Sequence, residues 1–143
     1  MKPELQKQLF DKYPKIFRQK DLKMTETCMC WGIDTGDGWY NLLDMLCDQL
    51  QFNTDRNGYP QVEATQVKEK YGTLRFYYTE LSLKEKDSWG ERKSGAIDGL
   101  INFAEFLSGY ICERCGTNRN VTTDEDGWIY TLCSDCRAKK EEK

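Results

Sequence analysis

Two cysteine pairs near the carboxyl end decide the fold of this chain: Cys112-Glu113-Arg114-Cys115 and Cys133-Ser134-Asp135-Cys136. Two residues lie inside each pair, and seventeen residues separate the pairs. This spacing is typical of four-cysteine zinc sites, because two intervening residues let one tight turn aim both sulfurs at one metal ion. We therefore predict that Cys112, Cys115, Cys133 and Cys136 bind one structural Zn²⁺ per chain. The alternative is two unrelated buried pairs.

The residues around the pairs predict the shape of the module. Gly116 follows the first pair, and the turn dipeptide Asp126-Gly127 lies between strand-like segments at 121–123 and 128–132. A short basic helix at 134–140 then carries the last two ligands. Knuckle, hairpin and helix in this order resemble a treble-clef zinc finger. Four thiolates leave no open coordination position, so we expect a structural ion and not a catalytic one.

Upstream of the zinc module, periodicity predicts an α+β fold in which helices pack on a small antiparallel sheet. Apolar residues recur with helical spacing in three segments, whereas residues 61–79 show strand-like composition on both sides of a turn. We expect two units, an α+β domain at 1–110 and a zinc-binding module at 111–143. The predicted helices are 3–12, 38–51 with Asp37 as its N-cap, and 94–108, and the predicted connections are a turn at 52–60 and a loop at 84–93.

The hairpin predicts a surface for a binding partner. A two-residue turn at Tyr71-Gly72 would place Lys68 directly opposite Arg75, and like charges in that position destabilise a sheet. Either an internal acid, such as Asp34 or Asp37, or an anionic partner must compensate them. One face of the hairpin would then pack on the helices, through Val67, Leu74 and Phe76. The other face carries the predicted partner-binding residues, which are Lys68, Lys70, Arg75 and Tyr77.

Cysteines and carboxylates outside the zinc module leave two further interpretations open. Cys28, Cys30 and Cys47 are either part of a second metal site or buried thiols, and the position of Cys47 on an apolar helix stripe favours a thiol. Asp34 and Asp37 could contribute to a divalent-cation site, although a tight turn and a helix cap explain them more simply.

Composition narrows the classes of function. The chain has 143 residues, a formal net charge of −3 and no histidine. The missing histidine removes the commonest general base and the residue that HNH-type nucleases need on a treble clef. The net charge argues against nonspecific nucleic-acid binding. The N-terminus does not resemble a signal peptide and no segment has the roughly 18 apolar residues of a membrane span. We expect a protein of the reducing cytoplasm, where clustered cysteines favour metal over disulfides.

Three strings in the chain resemble a family of small uncharacterised proteins from bacteriophages and prophages. They are Asp37-Gly38-Trp39-Tyr40, the segment from Gln66 to Tyr77 containing Lys-Glu-Lys-Tyr-Gly-Thr-Leu-Arg-Phe-Tyr, and Cys112-Glu113-Arg114-Cys115-Gly116 with Trp128 and Thr131 to Cys133 downstream. Members of that family often end the module with histidine, where this chain has Cys136. The resemblance implies origin in a phage and a hairpin followed by a zinc module, and it implies no catalytic activity.

These observations lead to three functional hypotheses. The first is a non-enzymatic, zinc-stabilised phage accessory protein that binds a host protein or ribonucleoprotein in the bacterial cytoplasm. Its sharpest form is a host-defence antagonist that acts by stoichiometric binding, as anti-CRISPR proteins do, and this form rests on analogy of origin. The second is a nucleic-acid-binding regulator that uses the basic hairpin face and the helix at 134–140. The third is an enzyme that depends on a divalent metal and clustered carboxylates.

Overall fold

Four helices and five short strands make up the described chain, which is residues 1–81 and 88–141 of a computed structural model. The helices are α1 (Pro3–Lys12), α2 (Tyr40–Asn57), α3 (Ser88–Ser108) and α4 (Ser134–Glu141). The strands are β1 (Ile33–Asp34), β2 (Val62–Lys70), β3 (Thr73–Glu80), β4 (Val121–Thr123) and β5 (Thr131–Cys133). The predicted α+β class is confirmed. None of the helices in the described residues is both long and apolar enough to cross a membrane.

The main sheet has the order β1-β2-β3 and is mixed, because β1 runs parallel to β2 whereas β2 and β3 are antiparallel. The predicted hairpin register is confirmed, with Lys68 opposite Arg75. Tyr71 and Gly72 form the turn with φ angles of 54° and 75°, the sign that two-residue hairpins require at both positions. The short strand β1 was not predicted, since two residues carry no periodicity.

Helix α3 protects the outer edge of β3. The backbone N–H of Leu74 donates to Ser108 Oγ at 2.8 Å, and the N–H of Phe76 donates to Glu105 Oε1 at 2.8 Å. Unpaired strand edges are templates for unwanted pairing with other chains. These two side chains occupy the donors that another strand would otherwise use, so this part of the β3 edge is closed.

The core lies between the helices and the inner face of the main sheet. The predicted inward residues Val67, Leu74 and Phe76 are all buried. They belong to an apolar cluster whose largest fully buried members also include Trp39, Phe17, Leu9, Ile16, Met29, Ile33, Leu43 and Leu50. A second, smaller cluster surrounds the cysteine module and contains Cys112, Leu132, Cys133 and Cys136.

Helix α2 starts and ends later than predicted. The segment 37–39 forms a 3-10 turn, and the Asp37 carboxylate accepts the Lys2 backbone N–H at 2.8 Å, so the prediction that Asp37 caps α2 is wrong. The predicted turn at 52–60 is wrong up to Asn57, because polar side chains extend the helix through bonds four residues apart. These bonds are Gln51 to Asp55, Asn57 to Asn53, and Thr54 to the carbonyl of Leu50.

The predicted helix at 3–12 is confirmed, and the predicted loop at 84–93 is partly wrong. Helix α3 begins at Ser88, so residues 88–93 are helical where a loop was expected. The remainder of that loop, residues 84–87, lies outside the described residues. The charged composition of 84–93 misled the prediction, since charge marks a solvated helix turn as well as a loop.

An ion pair joins the N-terminal segment to the sheet. Arg18 donates from Nε to Glu63 Oε2 at 2.6 Å and from Nη2 to Oε1 at 2.8 Å, and Gln19 adds a bond at 3.3 Å. Glu63 itself is buried. The hydrogen bonds from Arg18 outweigh the burial of the carboxylate and hold the pKa of Glu63 below its usual value.

We predict that Glu63→Gln lowers the free energy of unfolding at pH 7 by about 1.5–3 kcal/mol, the range for hydrogen bonds to charged groups. Because the folded-state pKa of Glu63 is lowered, its carboxylate stabilises the fold above the unfolded-state pKa, and this contribution is lost as pH falls through the folded value. Urea denaturation of both proteins from pH 7 down to pH 3 should show the difference shrinking with acid.

The comparison with wild type at each pH removes the effect of acid on the cysteines, which both proteins share. Asp11→Asn is the matched control, since the Lys7–Asp11 pair lies on the surface of α1 and should contribute only about 0–1 kcal/mol. A Glu63 variant that is no less stable than the Asp11 variant would contradict the assignment.

Candidate metal centre

The four predicted ligands converge at the junction of three elements. Cys112 and Cys115 lie in the turn that follows α3, Cys133 ends β5, and Cys136 lies in the first turn of α4. Their Sγ atoms all lie within 4.8 Å of one another. The knuckle, hairpin and helix therefore meet as a treble-clef-like module, and its four cysteines can hold a metal ion.

The spacing of the sulfurs fits a tetrahedral ion. The Sγ atoms of Cys115 and Cys133 are 3.7 Å apart. An ion bound tetrahedrally through metal–sulfur bonds of about 2.3 Å holds its sulfurs about 3.8 Å apart. This distance is also well beyond the roughly 2.05 Å of a disulfide bond, so the cluster has the dimensions of a metal site and not of a disulfide pair.

Backbone N–H groups around the cluster stabilise negative charge on its sulfur atoms. The N–H of Cys136 donates to Cys133 Sγ at 3.4 Å. Burial opposes ionisation of Cys112 most strongly, but backbone hydrogen bonds from Cys133, Cys115 and Arg114 outweigh it and lower the pKa of Cys112 to about 7.

The pKa of Cys136 shifts in the opposite direction to that of Cys112. Burial, followed by hydrogen bonds within the cysteine cluster, raises the pKa of Cys136 to about 12. Four thiolates so close together repel one another, and a bound cation removes that repulsion because it deprotonates coordinating thiols outright. A cation held between the four sulfurs would therefore relieve the repulsion that opposes ionisation of the cluster.

The knuckle packs backbone to backbone against the loop that precedes α2. The N–H of Gly38 donates to the carbonyl of Glu113 at 2.8 Å, and the N–H of Gly36 donates to the Glu113 carboxylate at 2.9 Å. A Cβ on Gly38 would lie 2.2 Å from the carbonyl oxygen of Cys112, and a Cβ on Gly36 would lie 2.2 Å from that of Glu113. Only glycine fits at these two positions.

A tryptophan and the hairpin turn complete the contact between the two predicted units. Trp39 is fully buried and donates from Nε1 to the carbonyl of Ile111 at 2.9 Å. On the other side of the module, Thr131 Oγ1 donates to the carbonyl of Gly72 at 2.6 Å. The boundary predicted at 110/111 thus runs through shared hydrogen bonds, so the metal module is anchored on both sides to the α+β domain.

The remaining cysteines do not join this cluster. Cys28 is exposed, Cys30 is partly exposed and Cys47 is buried. Burial raises the pKa of Cys47 far above its usual value, as expected for a thiol packed in an apolar core. Within residues 1–81 and 88–141, the four-cysteine cluster is the one group of three or more candidate side chains close enough to share an ion.

An acid flanks each of the two opposed cations on the hairpin. Asp34 on β1 is in register with Lys68. On the far side, Arg75 Nη1 lies 4.0 Å from Glu105 Oε2 of α3. Asp34 is thus the neighbour that the sequence suggested, whereas Asp37 instead pairs with Lys2 at 3.4 Å. The partner of Arg75 was not predicted, because only the folded chain brings α3 to the β3 edge.

The predicted partner-binding residues lie together on the outer face of the hairpin, and their role stays a prediction. Lys68 and Arg75 face each other, and Tyr77 is opposite Gln66. Lys70 places its ammonium 5.4 Å from the ring centre of Tyr71. The Arg75 side chain is 33% exposed, so its pair with Glu105 is a surface pair of small stability, about 0–1 kcal/mol.

Two exposed aromatic residues at neighbouring hairpin tips enlarge this surface. Tyr71, in the β2–β3 turn, is 69% exposed, and Trp128, in the β4–β5 connection, is 75% exposed. Both line an open cleft of about 320 Å³ together with Glu69, Lys70 and Ile129. From the sequence we expected Tyr71 only as a turn residue, although a tyrosine where a tight turn favours asparagine or glycine is itself a signal of function.

Comparison of the chain with protein-family models, curated proteins and solved structures finds no match in any of the three.

We predict that Gly38→Ala lowers the free energy of unfolding by about 3 kcal/mol or more, as strained backbone contacts do. The added methyl would overlap the Cys112 carbonyl and displace the knuckle, so resistance to a metal chelator should fall with stability. Chemical denaturation and chelator competition measure the two effects.

Gly95→Ala is the control for this variant, because a Cβ on Gly95 meets nothing within 4 Å. Alanine in a helix interior should leave stability unchanged or raise it by about 0.5–1 kcal/mol. Equal behaviour of the two alanine variants would show that the contact at Gly38 does not hold the module.

Proposed function

We propose that the ion held by the four cysteines is Zn²⁺ and that its role is structural. Four thiolates in tetrahedral arrangement are typical of closed zinc sites, which leave no position for water or substrate. The small apolar cluster around the cysteines is formed by Leu132 and the cysteines themselves, with Val121 and Tyr130 packed against it. So small a core needs a metal to be stable, since a module of this size cannot bury enough apolar surface alone.

We expect purified protein to contain about one equivalent of zinc per chain, as one closed site requires. Cys115→Ser should lose most of this zinc and unfold at a lower temperature, because three thiolates bind more weakly than four. Elemental analysis and thermal melting of the same preparations give both values.

Cys28→Ser is the matched control, since Cys28 is also exposed but lies outside the cluster. It should keep the zinc. Full zinc content in the Cys115 variant, or about two equivalents in wild type, would overturn the assignment of a single four-cysteine site.

We further propose that this zinc-stabilised protein acts by binding another macromolecule and not by catalysis. The observation that carries this proposal is the pair of exposed aromatic residues, Tyr71 and Trp128, at the tips of two hairpins from different units. Tryptophan and tyrosine are the residue types that contribute most to binding hot spots. The closed thiolate set and the absence of histidine from the chain also favour binding over turnover.

The conformation of Tyr71 supports a functional role for its side chain. Its φ of 54° belongs to the left-handed region, which costs a residue other than glycine about 1–2 kcal/mol. Because the ring is exposed, its contacts offset little of this conformational cost. Strained residues that the fold does not need tend to lie at functional sites, so exposure of an aromatic ring at this tip is itself the useful property.

The surroundings of the tips favour a protein partner. Lys70 adjoins Tyr71, and Lys68, Arg75 and Tyr77 extend the surface along the sheet. Acidic residues lie beside these cations, namely Glu69 in the cleft and Asp34 and Glu105 at the two sides of the Lys68–Arg75 pair. A phosphate backbone would meet both signs of charge here, whereas mixed charge around an aromatic centre is usual in protein interfaces.

The resemblance to phage proteins supplies the biological form of the proposal. A small phage protein that binds a host protein or ribonucleoprotein in the bacterial cytoplasm would act stoichiometrically, and a host-defence antagonist is its sharpest version. This step rests on analogy of origin.

We predict that Tyr71→Asn separates binding from folding. Asparagine tolerates the left-handed conformation, so stability should stay the same or rise, by about 1 kcal/mol at most. Loss of the ring should weaken partner binding by about 1–3 kcal/mol, as at hot spots. Trp128→Ala should weaken binding in the same way. Affinity capture from bacterial lysate identifies the partner, and titration of the purified complex measures the loss.

Met24→Asn is the control, because Met24 is an exposed apolar residue outside both hairpins. Binding that survives both tip variants would place the contact elsewhere. Capture of nucleic acid, with an affinity that falls steeply as salt rises, would favour the regulator hypothesis instead.

A further inference from the structure

The outward face of α3 is apolar where a solvated helix would be charged. Phe103 and Phe106 project from this face and are each 59% exposed, as is Tyr110 in the turn just beyond the end of the helix. Gly95 and Gly99 lie on the same face, and a Cβ on either would meet nothing within 4 Å. The four helical residues Gly95, Gly99, Phe103 and Phe106 fall within one stripe, since successive helical positions turn by about 100°.

The opposite side of α3 is the buried side, with Ile97, Ile101 and Ala104 in the core. The second half of the helix therefore carries an apolar stripe on its exposed side in addition to its buried apolar side. An exposed apolar stripe of this kind is typical of an interaction surface. The charged groups nearest the stripe are already engaged, since Glu105 contacts Arg75 and Phe76, and Asp98 accepts from Tyr78 Oη.

The stripe is complementary to itself. Its first part, at Gly95 and Gly99, is flat, and its later part, at Phe103 and Phe106, is bulky. Two copies of α3 that cross antiparallel with their midpoint near residue 101 would place Phe103 of each against Gly99 of the other. The same arrangement places Phe106 of each against Gly95, which is the reciprocal contact that a two-fold axis requires.

We propose that this face binds a second copy of the chain, forming an antiparallel two-fold dimer through α3. A groove of about 490 Å³ beside Gly99 is bounded by Tyr59, Ala96 and Leu100, and it receives the Phe103 ring of the partner copy. The rings of Phe106 and Tyr110 are already packed against each other in a tilted arrangement, with ring centres 5.1 Å apart, so little side-chain freedom is lost on association.

The charge distribution along α3 and the size of the stripe are consistent with a second copy of the chain as the partner. Residues 88–95 at the start of α3 carry Glu91, Arg92 and Lys93, a net charge of +1, whereas residues 106–111 carry no charge. The antiparallel arrangement brings the basic end of one helix close to the carboxyl end of the other, where the helix dipole favours positive charge. From Gly95 to Phe106 the stripe is about 17 Å long, at 1.5 Å per residue. That footprint is small for a specific interface, so the dimer should be weak and reversible.

We expect sedimentation velocity and light scattering of the zinc-loaded protein to show a monomer–dimer equilibrium with a dissociation constant of about 10–100 µM. Reductant in the buffer prevents cross-linking through exposed Cys28. Phe106→Glu should raise the dissociation constant by about 100-fold, since each interface would bury two unpaired carboxylates. Its melting temperature at low concentration should match that of wild type, because Phe106 is exposed in the monomer.

Met45→Glu is the control, because Met45 is equally exposed but lies on α2; it should dimerise like wild type. A wild-type chain that is monomeric at about 500 µM leaves this face to a different partner and overturns the proposal. A dimer that Phe106→Glu does not weaken uses another surface, and it overturns the proposal as well.

The register is tested by two variants that should associate with each other better than with themselves. Phe106→Lys and Gly95→Glu each disturb both contacts of their own homodimer. In the mixed dimer, the lysine introduced at position 106 faces the glutamate introduced at position 95 at one contact, and the native Phe106–Gly95 contact remains at the other. Preferential heterodimer formation supports the antiparallel arrangement, and equal or weaker mixing contradicts it.

Discussion

The structure depends on backbone contact between residues 36–38 and the knuckle that carries Cys112 and Cys115. No side chain can enter that contact, because a Cβ on Gly38 would lie 2.2 Å from the Cys112 carbonyl oxygen. The same loop leads into Trp39, which is fully buried in the core and donates to the carbonyl of Ile111. Free energy of binding a metal ion at the four cysteines would therefore stabilise the α+β domain as well as the module, because binding to the native site is coupled to folding of everything the site contacts.

The three sequence strings at 37–40, 66–77 and 112–116 are distant in sequence but adjacent in the fold. The loop at Gly38 meets the knuckle, and the Tyr71-Gly72 turn meets Thr131 on the other side of the module. Packing alone explains several of their residue types: glycine where backbones touch, tryptophan where a buried ring also donates a hydrogen bond, and threonine where a buried hydroxyl pairs with a carbonyl. Packing does not explain the exposed rings of Tyr71 and Trp128, and these are the residues to which we assign binding.

The features that were predicted correctly are those that depend on residue spacing within a short segment of the chain. The cysteine pairs and the register that places Lys68 opposite Arg75 follow from short, regular sequence patterns, so both could be predicted without knowledge of the tertiary structure. The strand at Ile33–Asp34 could not, because only its position beside β2 makes it a strand. For the same reason the acid beside Arg75 proved to be Glu105, from a helix whose docking on the β3 edge depends on tertiary packing. Helix α2 extended beyond its apolar stripe because polar side chains bond along it, a signal that hydrophobic periodicity does not contain.

The acidic residues on both sides of the Lys68–Arg75 pair reduce the need for an anionic ligand on the outer face of the sheet. Asp34, Lys68, Arg75 and Glu105 follow one another across the sheet as acid, base, base and acid, so an acid lies beside each of the two opposed cations. Under the proposed function, binding energy at this surface would then come mainly from apolar contact, which is concentrated at Tyr71 and Trp128. If two chains associate through α3, one assembly presents two such tips. A partner with repeated sites would gain avidity from both, with no additional contact in either copy. A small, partly strained aromatic tip would then be sufficient for stable capture, because each individual contact could remain weak.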